Sequence, residues 1–107
     1  MNNELQDPVI SSFLEELKRE IPEKLKRVTL FGSRARKDNH KYSDYDFMVL
    51  LTEKEESILE IIYDAGYAIL DKYNVLASCL IWDEEDYEFH KSLPIGKNIE
   101  REGMVLL

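Results

Sequence analysis

The chain has 107 residues, 44% of them hydrophobic and 34% charged, with a formal net charge of −8. That length gives one domain over residues 1–107, with one core and no room for a separate substrate domain, and the composition is that of a globular rather than a disordered chain. The negative balance argues against broad binding to nucleic acid, which draws on Lys and Arg against phosphates, and suits a basic partner or a site that gathers divalent cations.

In chain order, Met1 to Glu4 show no positive region followed by an apolar one, so no signal peptide is read there. Asp7-Pro8 predicts a helix start, an N-cap acid followed by proline at the first helical position. Ile10, Phe13, Leu14, Leu17 and Ile21 then recur at helical spacing until Pro22. Val28 to Phe31 predicts a short buried strand that Gly32-Ser33 ends, and Asp38 to Ser43 reads as a polar loop. Tyr45 to Leu51 is apolar on both alternating faces, the pattern of a central strand covered on both sides.

Lys54 to about Asn74 is the longest helical pattern. One apolar stripe runs through Ile58, Ile62, Ala65, Ile69 and Tyr73, and a second through Leu59, Tyr63, Gly66 and Leu70. So wide an arc suggests a helix that packs on the sheet and against another chain. Val75 to Trp82 predicts a third strand, with Trp82 in the core and the single cysteine, Cys79, as a buried inert thiol that forms no internal disulfide. Asp83 can cap a short helix through His90, Leu93-Pro94 breaks it, Ile99 to Arg101 forms one more turn, and Met104 to Leu107 closes as an edge strand. No apolar run approaches the roughly 20 residues that span a bilayer, so a cytoplasmic location without a membrane is expected.

The chemistry lies in two segments. Asp44 and Asp46, at i and i+2 on a strand, share one face, roughly 6–7 Å apart along the chain. Two such carboxylates repel unless a cation lies between them. A two-metal site with ions about 3.5–4 Å apart resolves that conflict and activates an in-line displacement. Mg2+ suits the site, because it takes oxygen ligands together with substrate phosphates. Gly32 permits close backbone approach, Ser33 adds a hydroxyl, and backbone N–H groups opening a short helix can cradle an anion. Arg34 and Arg36 are available for phosphate oxygens, though they project to nearly opposite sides, so at most one faces a nucleotide. His40 and His90 read as exposed and too isolated for a zinc site. Tyr42 and Tyr45 flank the acids, to stack on a base or to pack in the core or at the rim.

Gly32-Ser33, ten residues, then Asp44-Tyr45-Asp46 resembles the GSx10DxD signature of the minimal nucleotidyltransferases, relatives of the DNA polymerase β superfamily. Thr29-Leu30-Phe31, Arg34-Ala35-Arg36, Ser43, Phe47-Met48-Val49 and the ending Asn98 to Leu106 look similar too, so the resemblance covers most of the chain. It implies an α/β fold: a single small domain with a mixed β-sheet, flanking helices and a polymerase β-like core. It further implies that Gly32 and Ser33 hold the triphosphate of ATP, with Arg34, Arg36 and Ser43 in the nucleotide-binding set, and that Asp44 and Asp46 ligate Mg2+. Many such short proteins are antitoxins paired with a HEPN-domain ribonuclease toxin, and members transfer AMP from ATP to a tyrosine of that toxin. The implied activity is protein adenylylation. The alternatives are an antitoxin or regulatory subunit that acts by complex formation, and an enzyme that modifies a small-molecule hydroxyl; 107 residues tell against the last.

Two departures stand out. The family often has glycine where this chain has Lys37, and superfamily members commonly supply a third carboxylate from the next strand. Here that strand, Val75 to Trp82, contains no acid, and Ser78 is its only hydroxyl.

Overall fold

The computed structural model describes residues 6–107; Met1 to Glu4, read for a targeting signal, lie outside the described residues. Asp7 opens helix α1 (Pro8–Glu20), its Oδ1 accepting from the Val9 and Ile10 amides at 2.8 and 3.4 Å. Pro8 at the first turn has no N–H to leave unpaired. Strand β1 (Leu25–Phe31) leads into a single helical turn, α2 (Ser33–Arg36), and a loop returns the chain to strand β2 (Tyr45–Leu51). Helix α3 (Glu56–Tyr73) crosses to strand β3 (Ala77–Trp82); helices α4 (Glu84–His90) and α5 (Pro94–Glu102) and the short strand β4 (Met104–Val105) follow.

The four strands form one mixed sheet in the order β3-β2-β1-β4, with β2 parallel to β3 and β1 antiparallel to both β2 and β4. Alternation along the strands divides the core. Tyr45, Phe47, Val49 and Leu51 join α1 and the buried stripe of α3, where Phe13 stacks on Phe47 at 4.2 Å between ring centroids. Met48 and Leu50 face the opposite way, onto Trp82 and Ile99. Among the described residues no helix is long and apolar enough to cross a membrane.

The elements differ from the expectations at three places. β1 starts at Leu25 rather than Val28, because pairing to β2 extends back to Leu25↔Leu51. The charged heads of Lys26 and Arg27 reach outward from this stretch, to Glu84 and to the face of Tyr87. α5 has nine residues rather than one turn, because Pro94 starts the helix instead of only ending what precedes it. Gly96 sits where a Cβ would run into the His90 carbonyl, so α5 can touch the end of α4 only with glycine there. His90 is not merely exposed: it is half-buried, its ring stacks on Trp82 at 4.8 Å, and Nδ1 donates to the Asp86 carbonyl at 2.8 Å.

The expected stripe of α3 is buried at Ile58, Ile62, Ala65 and Ile69. The second stripe is only partly covered: Tyr63 and Leu70 are 50 and 42% exposed while Leu59 and Gly66 are half-buried, and the neighbouring Tyr67 is 68% exposed. Tyr63, Tyr67 and Leu70 line a groove with Gly66, Leu76 and Ala77 beside the edge of β3.

α4 is tied by Glu84 to Lys26 of β1 and by Asp86 to Lys54 in the segment after β2 (2.8 Å), and starts at a capping box between Asp83 and Asp86. Asp83→Ala should cost about 1 kcal/mol, read as a lower urea midpoint with an unchanged slope.

Candidate active site

β1 ends in a turn that few residues can make. Gly32 has φ 76° and ψ −160°, a region that is essentially glycine-only. Its carbonyl then accepts from the Ala35 and Arg36 amides at 3.1 and 3.0 Å, which closes the turn of α2. Lys37 ends that turn in the left-handed region, φ 68°. This is the position where the family pattern often carries glycine, and a lysine there bears a backbone cost of about 1 kcal/mol.

Across the hairpin, Asp46 pairs with Phe31 on one side and with Ser78 on the other. The three stand in one row over β1, β2 and β3, on the face that carries Met48, Leu50 and Trp82. Asp46 is folded directly over the glycine: a Cβ on Gly32 would overlap its Oδ2 and lie 3.2 Å from its Cγ. Burial pushes the Asp46 carboxyl above the usual aspartate range, the charge of Asp44 pushes it further, and Arg36 opposes both. Asp44 is exposed and lies one residue before β2. Neither carboxylate has a hydrogen bond or ion pair among the described residues. Two unpaired acids whose charges oppose one another fit a cation with oxygen ligands; that fit rests on the donor set alone.

The remaining expected site residues fall on different sides. Ser33 opens α2, and its hydroxyl has no hydrogen bond among the described residues. Arg36 is the arginine on the Asp46 side; it bonds Asp38 at 3.1 Å and Glu102 of α5 at 3.0 Å. Arg34 turns the other way, to the carbonyls of Lys41 and Ser43, with its guanidinium 4.1 Å from the centroid of the Tyr45 ring. Ser43 is built into the loop: its hydroxyl accepts from the His40 amide at 3.0 Å. His40 is exposed and Nδ1 accepts from the Tyr42 amide. Tyr42 is 64% exposed, whereas Tyr45 is buried and donates its hydroxyl to Asp7 Oδ2 at 2.6 Å.

Above the row lies a cleft of about 270 Å3 lined by Phe31, Asp46, Ser78, Cys79, Leu80 and Ile95. Among the described residues Asp46 is its one carboxylate. Among the described residues no group of three or more His, Cys, Asp or Glu side chains is arranged to hold a metal ion. The Cys79 thiol is pushed up to about 12 by burial and stays protonated. Two contributions were not anticipated from the residues. Ser78 stands beside Asp46, which the alternation Ser78, Leu80, Trp82 hints at but only the parallel register fixes. Ile95 reaches the cleft from a helix that was expected to be one turn long.

The nucleotidyltransferase domain model matches residues 10–101. The chain belongs to the nucleotidyltransferase domain family. A Methanocaldococcus jannaschii protein, named provisionally as a protein adenylyltransferase, is 27% identical over 101 residues, spanning 94% of this chain and 97% of its own length. A crystal structure of a toxin–antitoxin with AMP-PNP superposes with a TM-score of 0.67 at 20% identity, covering 91% of this chain and 71% of that one. A complex of a tri-AMPylated Shewanella oneidensis HEPN toxin with an MNT antitoxin gives 0.56 at 18% identity, covering 91% and 67%. At these identities the superpositions show the fold. This nucleotidyltransferase has the small mixed sheet and flanking helices of those structures.

Proposed function

We propose that this nucleotidyltransferase transfers AMP from ATP to a tyrosine hydroxyl of a HEPN-domain toxin, with Mg2+ held by Asp44 and Asp46. The observation that carries the reading is the pair of unpartnered carboxylates, Asp44 and Asp46, the second of them folded over the Gly32 turn. Bound there, Mg2+ would supply charge neutralisation for the phosphates. The chain's own groups do the positioning. The side-chain-free backbone at Gly32 lets phosphate oxygens approach beside Asp46, the Ser33 hydroxyl donates to them, and Arg36 adds positive charge on the Asp46 side. The acceptor oxygen attacks the α-phosphorus, the bond to the bridging oxygen breaks, and pyrophosphate leaves; in such a transfer the protein contributes mainly position and electrostatics. A protein acceptor can complete the cleft, and the exposed flank of α3 is the kind of apolar surface that partners cover. The adenylyltransferase name of the archaeal relative and the toxin–antitoxin complexes with the same fold support this choice.

Incubation with labelled ATP, Mg2+ and candidate HEPN toxin should label the toxin, with Asp44→Ala/Asp46→Ala as the background. Equal labelling by both chains would end the enzymatic reading. The second reading, an antitoxin that acts by complex formation, is favoured by Ser78, which puts a neutral group where superfamily members place an acid. It expects the double variant to keep inhibiting the toxin in a stoichiometric complex.

Ser78 also gives a direct prediction. Ser78 is exposed on an edge strand and in register with Asp46, so Ser78→Asp adds a third carboxylate without disturbing the core. Its affinity for Mn2+ should rise about tenfold, read by electron paramagnetic resonance of the free ion.

A further inference from the structure

The two carboxylates are held by different means. Asp46 lies inside β2, with Phe31 and Ser78 paired on either side, so the sheet fixes its Cα. Asp44 precedes the strand, outside the ladder, with an exposed side chain that bonds to nothing among the described residues. A chelating pair functions only when both oxygens are held within about 0.5 Å of a working geometry. The sheet reaches only the far side of Asp44, where the Tyr45 amide donates to the Leu76 carbonyl at 2.9 Å, so something else has to hold the Ser43 side.

We infer that Arg34 is a positioning residue for Asp44 rather than a contact to the nucleotide. Nε and Nη2 both donate to the Ser43 carbonyl, at 3.2 and 3.0 Å, and this carbonyl belongs to the peptide that joins Ser43 to Asp44. Nη2 also reaches the Lys41 carbonyl at 3.2 Å. The same guanidinium lies 4.1 Å from the ring centroid of Tyr45, the residue on the other side of Asp44. That ring is itself fixed: it is buried, stacks toward Phe47, and its hydroxyl donates to Asp7, which caps α1. One planar cation therefore grips the chain immediately before and immediately after Asp44. A lysine cannot reproduce this, because its point charge has neither the fork nor the flat face. That Asp44 holds a cation rests on the function proposed above; that Arg34 orders Asp44 does not.

Arg34→Lys separates the two roles. In nitrogen-15 relaxation, the Asp44 amide of the wild type should show an order parameter near 0.85, falling below about 0.6 in Arg34→Lys while Asp46 stays rigid. With AMP-PNP present, Arg34→Lys should weaken Mn2+ binding about five- to tenfold. The loss should vanish in an Asp44→Asn background and persist in an Asp46→Asn background, the non-additivity of two residues that act as a unit. Arg34→Gln, uncharged but similar in reach, should repeat the relaxation result if the lysine variant melts early. An equally ordered Asp44 in these variants overturns the inference. So does AMP-PNP binding that weakens in Arg34→Lys without any cation while Asp44 stays ordered, because Arg34 would then touch phosphate. If wild type and Asp44→Asn bind Mn2+ alike, the proposed cation site falls, and the relaxation measurement still decides the role of Arg34.

Discussion

Asp46→Asn should abolish nucleotidyl transfer and at the same time raise the melting temperature of the cation-free protein. The loss follows from removing half of the proposed two-carboxylate cation site; losing one such electrostatic contact costs at least about 10^2–10^3-fold in rate. The gain in stability follows from the sign of the Asp46 shift. Its carboxyl binds its proton more tightly in the folded chain than in the unfolded one, first because it is partly buried and then because Asp44 is near. Below the ordinary aspartate value near 3.9, both states are protonated and the folded chain bears no penalty. As pH rises through the elevated folded value, ionisation disfavours the folded state, and at neutral pH the penalty is complete. Asparagine keeps the shape and drops the charge. Calorimetry at pH 7 in chelator should show a higher melting temperature for the variant than for wild type. The difference should close toward pH 3. A variant that melts no higher than wild type at pH 7 would show that Asp46 is not strained by its surroundings.

Gly32→Ala should damage both stability and turnover. The backbone conformation alone costs roughly 1–3 kcal/mol for a residue with a side chain. The added methyl group also has nowhere to go, since it would overlap Oδ2 of Asp46. Either the turn opens or the carboxylate moves, and each displaces a group proposed to meet the nucleotide. Urea unfolding should show the lower midpoint. Transfer should fall about 10^2-fold or more even at temperatures where the variant is fully folded, an order of loss that misplacement by about 1 Å produces. Wild-type turnover in a folded Gly32→Ala protein would mean that the turn and Asp46 do not work as a unit.

Much of this architecture could be read from local chemistry. Asp7-Pro8 announces α1 because capping and proline geometry are properties of adjacent residues. Tyr45 to Leu51 matches the observed strand residue for residue because a doubly covered strand needs apolar side chains on both faces. The Gly32 turn was legible for the same reason, as a steric demand visible in a short segment, whereas Asp44, expected beside Asp46 on the strand, lies one residue before it. Features set by distant partners were not legible. Leu25 to Arg27 looks like a polar approach to a strand, and only the opposing Leu50 and Leu51 draw it into the ladder. Pro94 signals a stop and a start equally well, and α5 forms because its apolar face, Ile95 and Ile99, meets Met48 and Trp82. His90 carries no sign of its stack on Trp82. Arg34 and Arg36 are two residues apart and chemically identical, so the sequence leaves open which one faces the acids; the single turn of α2 sends Arg36 toward Glu102 and Arg34 toward the loop.

Both halves of the signature lie on one hairpin. Only 13 residues separate Phe31 from Tyr45, and the strands they belong to pair directly. Closing a loop of that length costs about 2 kcal/mol of chain entropy, which a few cross-strand contacts offset. β3 is different: it waits for the 18-residue α3 to form and swing across before Ser78 arrives beside Asp46. The order of assembly follows from this separation. The glycine bend and its acids are brought together early, in a local unit with short contact distances, and the far wall of the cleft is added late. Kinetic analysis should accordingly find Val28 and Val49 largely structured in the folding transition state, and Ile81 much less so.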